Sequence, residues 1–352
     1  MKIAVKHLEN IIISLLEKSG AGKEESQIVA QVMIKADMRG IPTHGIYFLP
    51  MLLDRIKLGL LEVPTKMLTI SDEGAVVHLD GGNGLGQVAA EKGMQMSIQK
   101  ASQNGIGLTL IRNTNHIGVL AYYSALAAKE GMIGICMSSS AAAIAPWGGT
   151  EAFFGTNPFS LAAPGTDGFP IVLDMSTSVT ARGKIRMAQR KSEKIPFDWA
   201  IDKNGIPTND PNEALNGTLL PIGGPKGYGL AFFIDLMCGI LSGSKFSREI
   251  STFHKPLSPT GVGIMTIAID ISRFMPLDTF LEIIKNHANS IRFSEKGQNV
   301  DRIYLPGEIE ASKENEAYKE GIEIDPDVFE TIDLLLKDNG ISIELAEGAQ
   351  EK

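Results

Sequence analysis

Two histidines stand where a proton could change hands. His44 lies in Arg39-Gly40-Ile41-Pro42-Thr43-His44-Gly45, directly after a helical stretch, and Pro42 with the flanking glycines fixes that loop. His116 lies in Asn113-Thr114-Asn115-His116-Ile117-Gly118, at the exit of a strand pattern. Strand exits in α/β proteins face the ligand crevice, and an imidazole with a pKa of ~6.5 exchanges protons at neutral pH. Either histidine alone reads more simply as a capping or hydrogen-bonding group; two at loop ends with polar neighbours point to function. A third cluster is discontinuous. Leu173-Asp174-Met175-Ser176-Thr177-Ser178 follows a strand pattern, and Gly223-Gly224-Pro225-Lys226-Gly227-Tyr228-Gly229 opens a helix pattern. A lysine at a helix N-terminus offers backbone N–H groups and a positive charge to an anion. A tight turn carrying a surface lysine accounts for the same residues equally well.

The elements that must position these groups are legible from periodicity. Leu8, Ile11, Ile12, Leu15 and Leu16 form an amphipathic stripe, and Ile28, Val29, Val32, Met33 and Ala36 repeat its spacing, so the chain before about residue 70 reads as helical. From Val76 the texture changes. Val76–Leu79, Ile106–Ile111, Met132–Met137, Ile171–Leu173 and Val262–Ile269 read as strands, with helices over 87–103, 117–130 and 226–242. A helix over Leu277–Arg292 follows. Another starts at Asp325 as cap, with Pro326 inside and Gly340 at the exit. The terminal helices are expected to pack together, because the chain ends of a domain often meet.

One motif looks like a dinucleotide site and fails. Gly84, Gly86 and Ala89 match G-x-G-x-x-A between a strand and a helix, but that site also needs an acid about 20 residues on for the ribose hydroxyls. Residues 92–129 contain no Asp or Glu, so the Rossmann reading is rejected in favour of a glycine turn and helix cap. Gly183-Lys184 lacks the Ser/Thr of a P-loop, Ser138–Ser140 form no nucleophile elbow, and no histidine pair has helix-face metal spacing, so no metal is expected. Of the net charge of −8, residues 308–352 with 14 acidic and 4 basic side chains account for −10. A nearly neutral body with an acidic tail argues against nucleic acid, and no run is long enough for a membrane span. Cys136 and Cys238, alone in apolar segments, suit buried thiols in a reducing, cytoplasmic setting.

Five segments in order resemble the malate/L-lactate dehydrogenase family of type 2. They are Ala36–Gly45, Asn115-His116-Ile117-Gly118, Gly155-Thr156-Asn157-Pro158, Leu173-Asp174-Met175-Ser176 and Gly224-Pro225-Lys226-Gly227-Tyr228-Gly229. The match runs from about residue 5 to 335. It implies an α/β fold whose non-Rossmann, mixed-sheet nicotinamide-binding domain spans 76–304, beside a helical domain of 1–75 completed by 305–352. It implies an NAD- or NADP-dependent homodimer that moves a hydride between the nicotinamide and C2 of a small 2-hydroxy or 2-oxo acid. By position, the resemblance makes His44 the proton donor or acceptor and His116 a second active-site histidine. Ser140, Asp174, Met175, Ser176, Lys226, Gly307 and Glu308 fall where relatives contact the cofactor.

Two positions depart from that pattern. Relatives usually carry an arginine four residues after His44 and often an aromatic residue four further on; here Phe48 and Leu52 stand there. An arginine would clamp the substrate carboxylate through paired charge-assisted hydrogen bonds, which Phe48 cannot do. Either another cation takes over, Arg55 and Arg112 being nearest in sequence, or the substrate is less acidic or differently placed. The alternative reading is a catalytically silent relative that keeps only the cofactor pocket. Retention of both histidines favours the enzyme.

Overall fold

The computed structural model describes residues 2–166, 168–253 and 258–343. A two-residue strand β1 (Lys2–Ile3) leads into the helices α1 (Val5–Lys18), α2 (Lys23–Met38) and α3 (Leu49–Lys57). Leu8, Ile11, Ile12, Leu15 and Leu16 of α1 are buried, in one cluster with Val29, Ala30 and Met33 of α2. Each of the larger side chains, Ala30 apart, contributes about 1.5–3 kcal/mol by leaving water. Val32 and Ala36 stand on another face of α2 and belong to the core of the sheet instead. One helix thus serves two cores.

The body then alternates. It runs β2 (Leu68–Glu73), β3 (Val76–Asp80), α4 (Gly86–Asn104), β4 (Ile106–Thr114), α5 (Ala121–Lys129), β5 (Met132–Ser138), β6 (Phe159–Ala163) and β7 (Ile171–Met175). A peripheral unit follows with α6 (Arg182–Arg190), β8 (Ala200–Ile201), α7 (Pro211–Asn216) and β9 (Thr218–Leu219). After it come α8 (Pro225–Asp235), β10 (Val262–Asp270) and α9 (Leu277–Arg292), then α10 (Glu308–Glu320), β11 (Ile322–Glu323) and α11 (Pro326–Asp338). Seven strands form one mixed sheet in the order β2-β3-β4-β10-β5-β6-β7. Only β3 and β4 run parallel; every other neighbouring pair is antiparallel. Central β10 is covered on both faces, which explains an apolar run interrupted only by Thr266 between Val262 and Ile269.

Register decides where a site can form. Asp80 faces Arg112, Thr114 faces Val262, Ser138 faces Ile264, and Phe159 faces both Met137 and Met175. The exits of β3, β4, β5 and β7 therefore line up along one edge of the sheet. The first and last elements of the described residues meet as expected: Ile3 of β1 pairs with Ile322 of β11, and Glu314 of α10 accepts from Lys35 of α2 and from Arg39, which follows it. Asp325 caps α11 by accepting the Asp327 N–H at 3.0 Å.

The sequence expectations need four corrections. β2 and β6 were passed over: β2 is an edge strand exposed along most of its length, so it lacks an apolar alternation. The helix expected over 117–130 begins only at Ala121, because Asn115–Leu120 is a loop. The helix expected over 226–242 is α8 followed by a π-helical turn, Leu236–Leu241. Finally, α10 buries only Glu308 and Ala311 and so shows no stripe. Among the described residues no helix is long and apolar enough to cross a membrane.

Candidate active site

The loop that carries His44 is made by the end of α2. Gly40 takes φ +74°, a left-handed conformation that stops the helix, and Pro42 opens a 3-10 turn ending at His44. Asp37, in the last turn of α2, points back under this loop and accepts the Ile46 N–H through Oδ2 at 2.8 Å. A Cβ on Gly45 would lie 1.8 Å from Asp37 Oδ1, so only glycine lets the backbone pass. Burial pushes the Asp37 carboxyl up to about 7 against the pull of that N–H. The loop thus rests on a carboxyl group at the edge of ionisation.

His44 Nδ1 is buried without a hydrogen-bond partner, and burial pulls the imidazole pKa down to about 4. The ring is therefore neutral at pH 7 and holds an open lone pair or an open N–H. His116 comes to it from the exit of β4, with ring centroids 5.0 Å apart. The Gly118 N–H donates to His116 Nδ1 at 3.1 Å, which places the proton of a neutral ring on Nε2. Phe48 stacks on His116 at 4.2 Å, and Phe253 lies 4.6 Å from Phe48 and 5.8 Å from His116. The departure at Phe48 so has a structural meaning: it gives the histidine pair an apolar wall. Leu52 is buried in the helical core.

The glycine turn before α4 supports this loop. Asn115 Nδ2 donates to the carbonyls of Asn83 and Gly84 at 3.0 and 2.9 Å, and a Cβ on Gly86 would lie 2.2 Å from the Asn115 carbonyl. The backbone of the Asn115 loop packs directly against Gly86.

Of the other expected site residues, Ser140, Met175 and Ser176 lie along the same sheet edge, whereas Gly307 and Glu308 lie beside the start of β7. Beyond β5, Ser140 Oγ meets Thr156 Oγ1 at 3.3 Å, and its N–H donates to Asn157 Oδ1 at 3.0 Å. The Thr156 carbonyl accepts the Thr177 N–H at 2.8 Å, just past Met175 and Ser176 at the end of β7. Ser176 Oγ lies 3.1 Å from Ser178 Oγ. The Thr177 carbonyl in turn accepts from Ile222, which brings in the turn before α8 and Lys226. From β4 to β7 the row crosses four strand spacings, about 19 Å, a length suited to an extended dinucleotide. Hydroxyls, an exposed ammonium at one end and an orphaned buried imidazole at the other are a donor set that fits a nicotinamide dinucleotide.

Three of the expected contacts look different in detail. Asp174 Oδ2 accepts the Ala121 N–H at 2.8 Å and so caps α5, linking β7 to the His116 loop; burial pushes its carboxyl up to about 6. The N–H groups expected to receive an anion at α8 are turned inward, since those of Lys226 and Gly227 go to the Gly223 and Ile222 carbonyls. Only the Lys226 ammonium is left for that role. Glu308 is buried and accepts from Arg292, Arg302 and the Leu305 N–H; burial raises its carboxyl, but these partners outweigh it and hold it below the usual range. Gly307 lies against Val172 of β7, with φ +81°. Arg112 is paired with Asp80 at 2.8 Å beside a cavity of about 310 Å³. Among the described residues no group of histidines, cysteines and acids could hold a metal. Asp37 and Phe253 were missed as site-forming residues. An acid near a helix end with glycine eight residues on could have drawn attention to Asp37, whereas nothing in the sequence marks Phe253.

Comparison with known proteins identifies the family. The family model of malate/L-lactate dehydrogenase matches residues 3–333. A malate/(S)-sulfolactate dehydrogenase of Methanothermus fervidus is 37% identical over 332 residues, covering 94% of this chain and 96% of that one. An NAD(+) ureidoglycolate dehydrogenase of Escherichia coli is 35% identical, covering 94% of each chain. The solved sulfolactate dehydrogenase of Methanocaldococcus jannaschii superposes with a TM-score of 0.91 at 36% identity, covering 97% of this chain and 98% of that one. A chain matched along nearly its whole length by family model, sequence and structure belongs to the malate/L-lactate dehydrogenase family.

Proposed function

We propose that this protein is an NAD- or NADP-dependent 2-hydroxyacid dehydrogenase that acts on a small substrate of the malate, lactate, sulfolactate or ureidoglycolate type. Family membership supports the reaction class, and relatives are named for both NAD(+) and NADP(+). The observation that carries the chemistry is the pair of histidines 5.0 Å apart behind Phe48 and Phe253, on the edge that also holds Ser140, Ser176 and Lys226. A bound nicotinamide supplies the hydride acceptor or donor. In the oxidation direction neutral His44 takes the proton of the substrate hydroxyl as the hydride leaves C2; in reduction it returns that proton to the oxygen. His116, with its proton on Nε2, donates a hydrogen bond to the same oxygen and orients it. The phenyl rings keep water from the reacting carbon.

The finer architecture follows the same reading: a helical domain of 1–75 completed by 305–352, and a nicotinamide-binding domain of 76–304 without a Rossmann site. The β1–β11 pairing and the glycine turn packed against the Asn115 loop support it. A homodimer is supported by the exposed Leu230, Phe232, Phe233, Ile240 and Leu241 along α8 and its π-helical continuation. Buried free Cys136 and Cys238 suit a cytoplasmic setting. Two histidines in a walled pocket favour an enzyme over a silent binder.

The test is a thermal-shift titration with NAD⁺, NADH, NADP⁺ and NADPH, followed by 2-oxo acids with the preferred reduced cofactor. A ligand at 100 times its dissociation constant adds about 2.7 kcal/mol. Stabilisation by one cofactor pair with oxidation of its reduced form is the expected result. Cofactor stabilisation without turnover would return the silent relative, and no shift with any of the four would overturn the reading.

A further inference from the structure

Arg55 of α3 is a buried cation without an anion. Its side chain is 0% exposed, and Nη2 donates to the Ser258 carbonyl at 2.8 Å. Nε and Nη1 are buried with no hydrogen-bond partner, and among the described residues no carboxylate pairs with it. A guanidinium stays charged in any protein, and truly isolated charges are almost never kept in a core. Its face is taken: Cζ lies 4.5 Å from the centroid of the Phe253 ring. A ring stacked on that face leaves the donors around the guanidinium edge directed sideways, which is the geometry for a carboxylate. The same Phe253 ring touches Phe48 and His116, so the unpaired cation stands one ring away from the histidine pair.

We propose that Arg55 binds the carboxylate of the 2-oxo acid, in the role that Phe48 cannot fill. This rests on the dehydrogenase reading above. The helix gives Arg55 a fixed backbone, Ser258 holds one nitrogen, and Phe253 sets the plane of the fork. Substrate entering beside His116 supplies the missing anion, which the open Nε–H or Nη1–H receives together with the second N–H of Nη2 on the same edge. The pocket thereby selects an ionised acid over a neutral carbonyl compound of the same shape.

The experiment compares the best-used of pyruvate, glyoxylate and oxaloacetate with its methyl ester, in wild type, Arg55→Met and Arg55→Lys, with the preferred reduced cofactor saturating. Arg55→Met should raise KM for the acid by about 30-fold or more and leave the ester's KM within about 2-fold, collapsing the preference. The dissociation constant of the reduced cofactor should not move. Arg55→Lys keeps the charge without the fork and should raise the acid's KM by about 10-fold. A folded Arg55→Met that keeps the acid-over-ester ratio of wild type would overturn the proposal, leaving Arg55 as a clamp on Phe253 and Ser258. If Arg55→Met does not fold, an unchanged KM in Arg55→Lys overturns it equally. Wild-type protein inactive on these three acids and also on sulfopyruvate and oxalurate would instead overturn the dehydrogenase reading, and this inference with it.

Discussion

The histidine pocket and the row of strand ends share one edge of the sheet but are built in opposite ways. Around His44 and His116 rings replace water: Phe48 stacks at 4.2 Å, Phe253 closes the side, and His44 Nδ1 has no partner. Further along, the hydroxyls pair with one another, Ser140 with Thr156 at 3.3 Å and Ser176 with Ser178 at 3.1 Å, and Lys226 is exposed beyond them. A dry pocket suits proton transfer, because a charge that forms there is felt strongly and stray water cannot compete. A preformed polar row suits a large charged ligand, because its donors are already in place. Chemistry and cofactor binding should therefore fail separately.

The largest effect should come from His44→Ala. Losing a placed acid–base group costs ~10²–10⁴-fold in turnover. The dissociation constant of the preferred cofactor, read by fluorescence titration, should stay within about 2-fold. A collapse of cofactor binding would break the division between the two regions, and make His44 a structural residue.

Gly45→Ala attacks the pocket from behind. The new Cβ would meet Asp37 Oδ1 at 1.8 Å, so the loop must move. Overpacking of this kind costs about 1–3 kcal/mol, and a shift of about 1 Å at His44 costs on the order of 10²-fold in turnover. Denaturant midpoints and kcat measured on one preparation would show both. Unchanged kcat with lowered stability would mean that the loop position is not what sets the rate.

This glycine also shows what the sequence could and could not tell. Pro42 and the glycines mark a fixed loop, and the helices and most strands follow from apolar spacing, because those signals are local. Asp37 beneath Gly45 is a contact across a helix end, and Phe253 reaches His116 from more than 130 residues away in the chain, so no spacing records either. Strands β2 and β6 and helix α10 escaped for a related reason: an exposed edge or a polar helix has little apolar pattern to read. The dinucleotide fingerprint at Gly84 and Gly86 lacks its acid in the sequence. The contact of Asn115 with the Gly84 carbonyl is visible only in the fold. Lys226 was legible as a cation at a helix start, but the inward turn of its neighbouring N–H groups was not.

Acid and base titration should separate the two half-buried groups, His44 and Asp37. Folding holds His44 at about 4, below its ordinary value, so stability is lost as pH falls from about 6.5 to 4 while the unfolded chain takes up a proton. Folding holds Asp37 at about 7, above its ordinary value, so its stabilisation is present in acid and is lost as pH rises to about 7. Each contribution is on the order of 3 kcal/mol, and the signs oppose between pH 4 and 6.5. Wild-type Tm should therefore be nearly flat across that range. In Asp37→Asn, Tm should rise with pH, and in His44→Ala it should fall. Parallel curves in all three would mean that neither group is as buried as its surroundings suggest.

The smallest effect should be that of Lys226→Ala, and it tests the other half of the comparison. The ammonium is exposed at the start of α8, where the Lys226 and Gly227 N–H groups are already used by the Gly223 and Ile222 carbonyls. An anionic part of the cofactor would meet a charge but few backbone donors. Solvent screens such a contact, so the loss should be about 1 kcal/mol, a 3- to 10-fold weaker cofactor affinity. Raising the salt concentration should shrink the difference between wild type and variant, while kcat at saturating cofactor stays the same. A large loss of kcat would carry Lys226 into the chemistry and erase the boundary between the dry pocket and the polar row. An affinity that does not change at low salt would remove Lys226 from the row and leave the hydroxyls of Ser140 and Ser176 to hold the cofactor at that end.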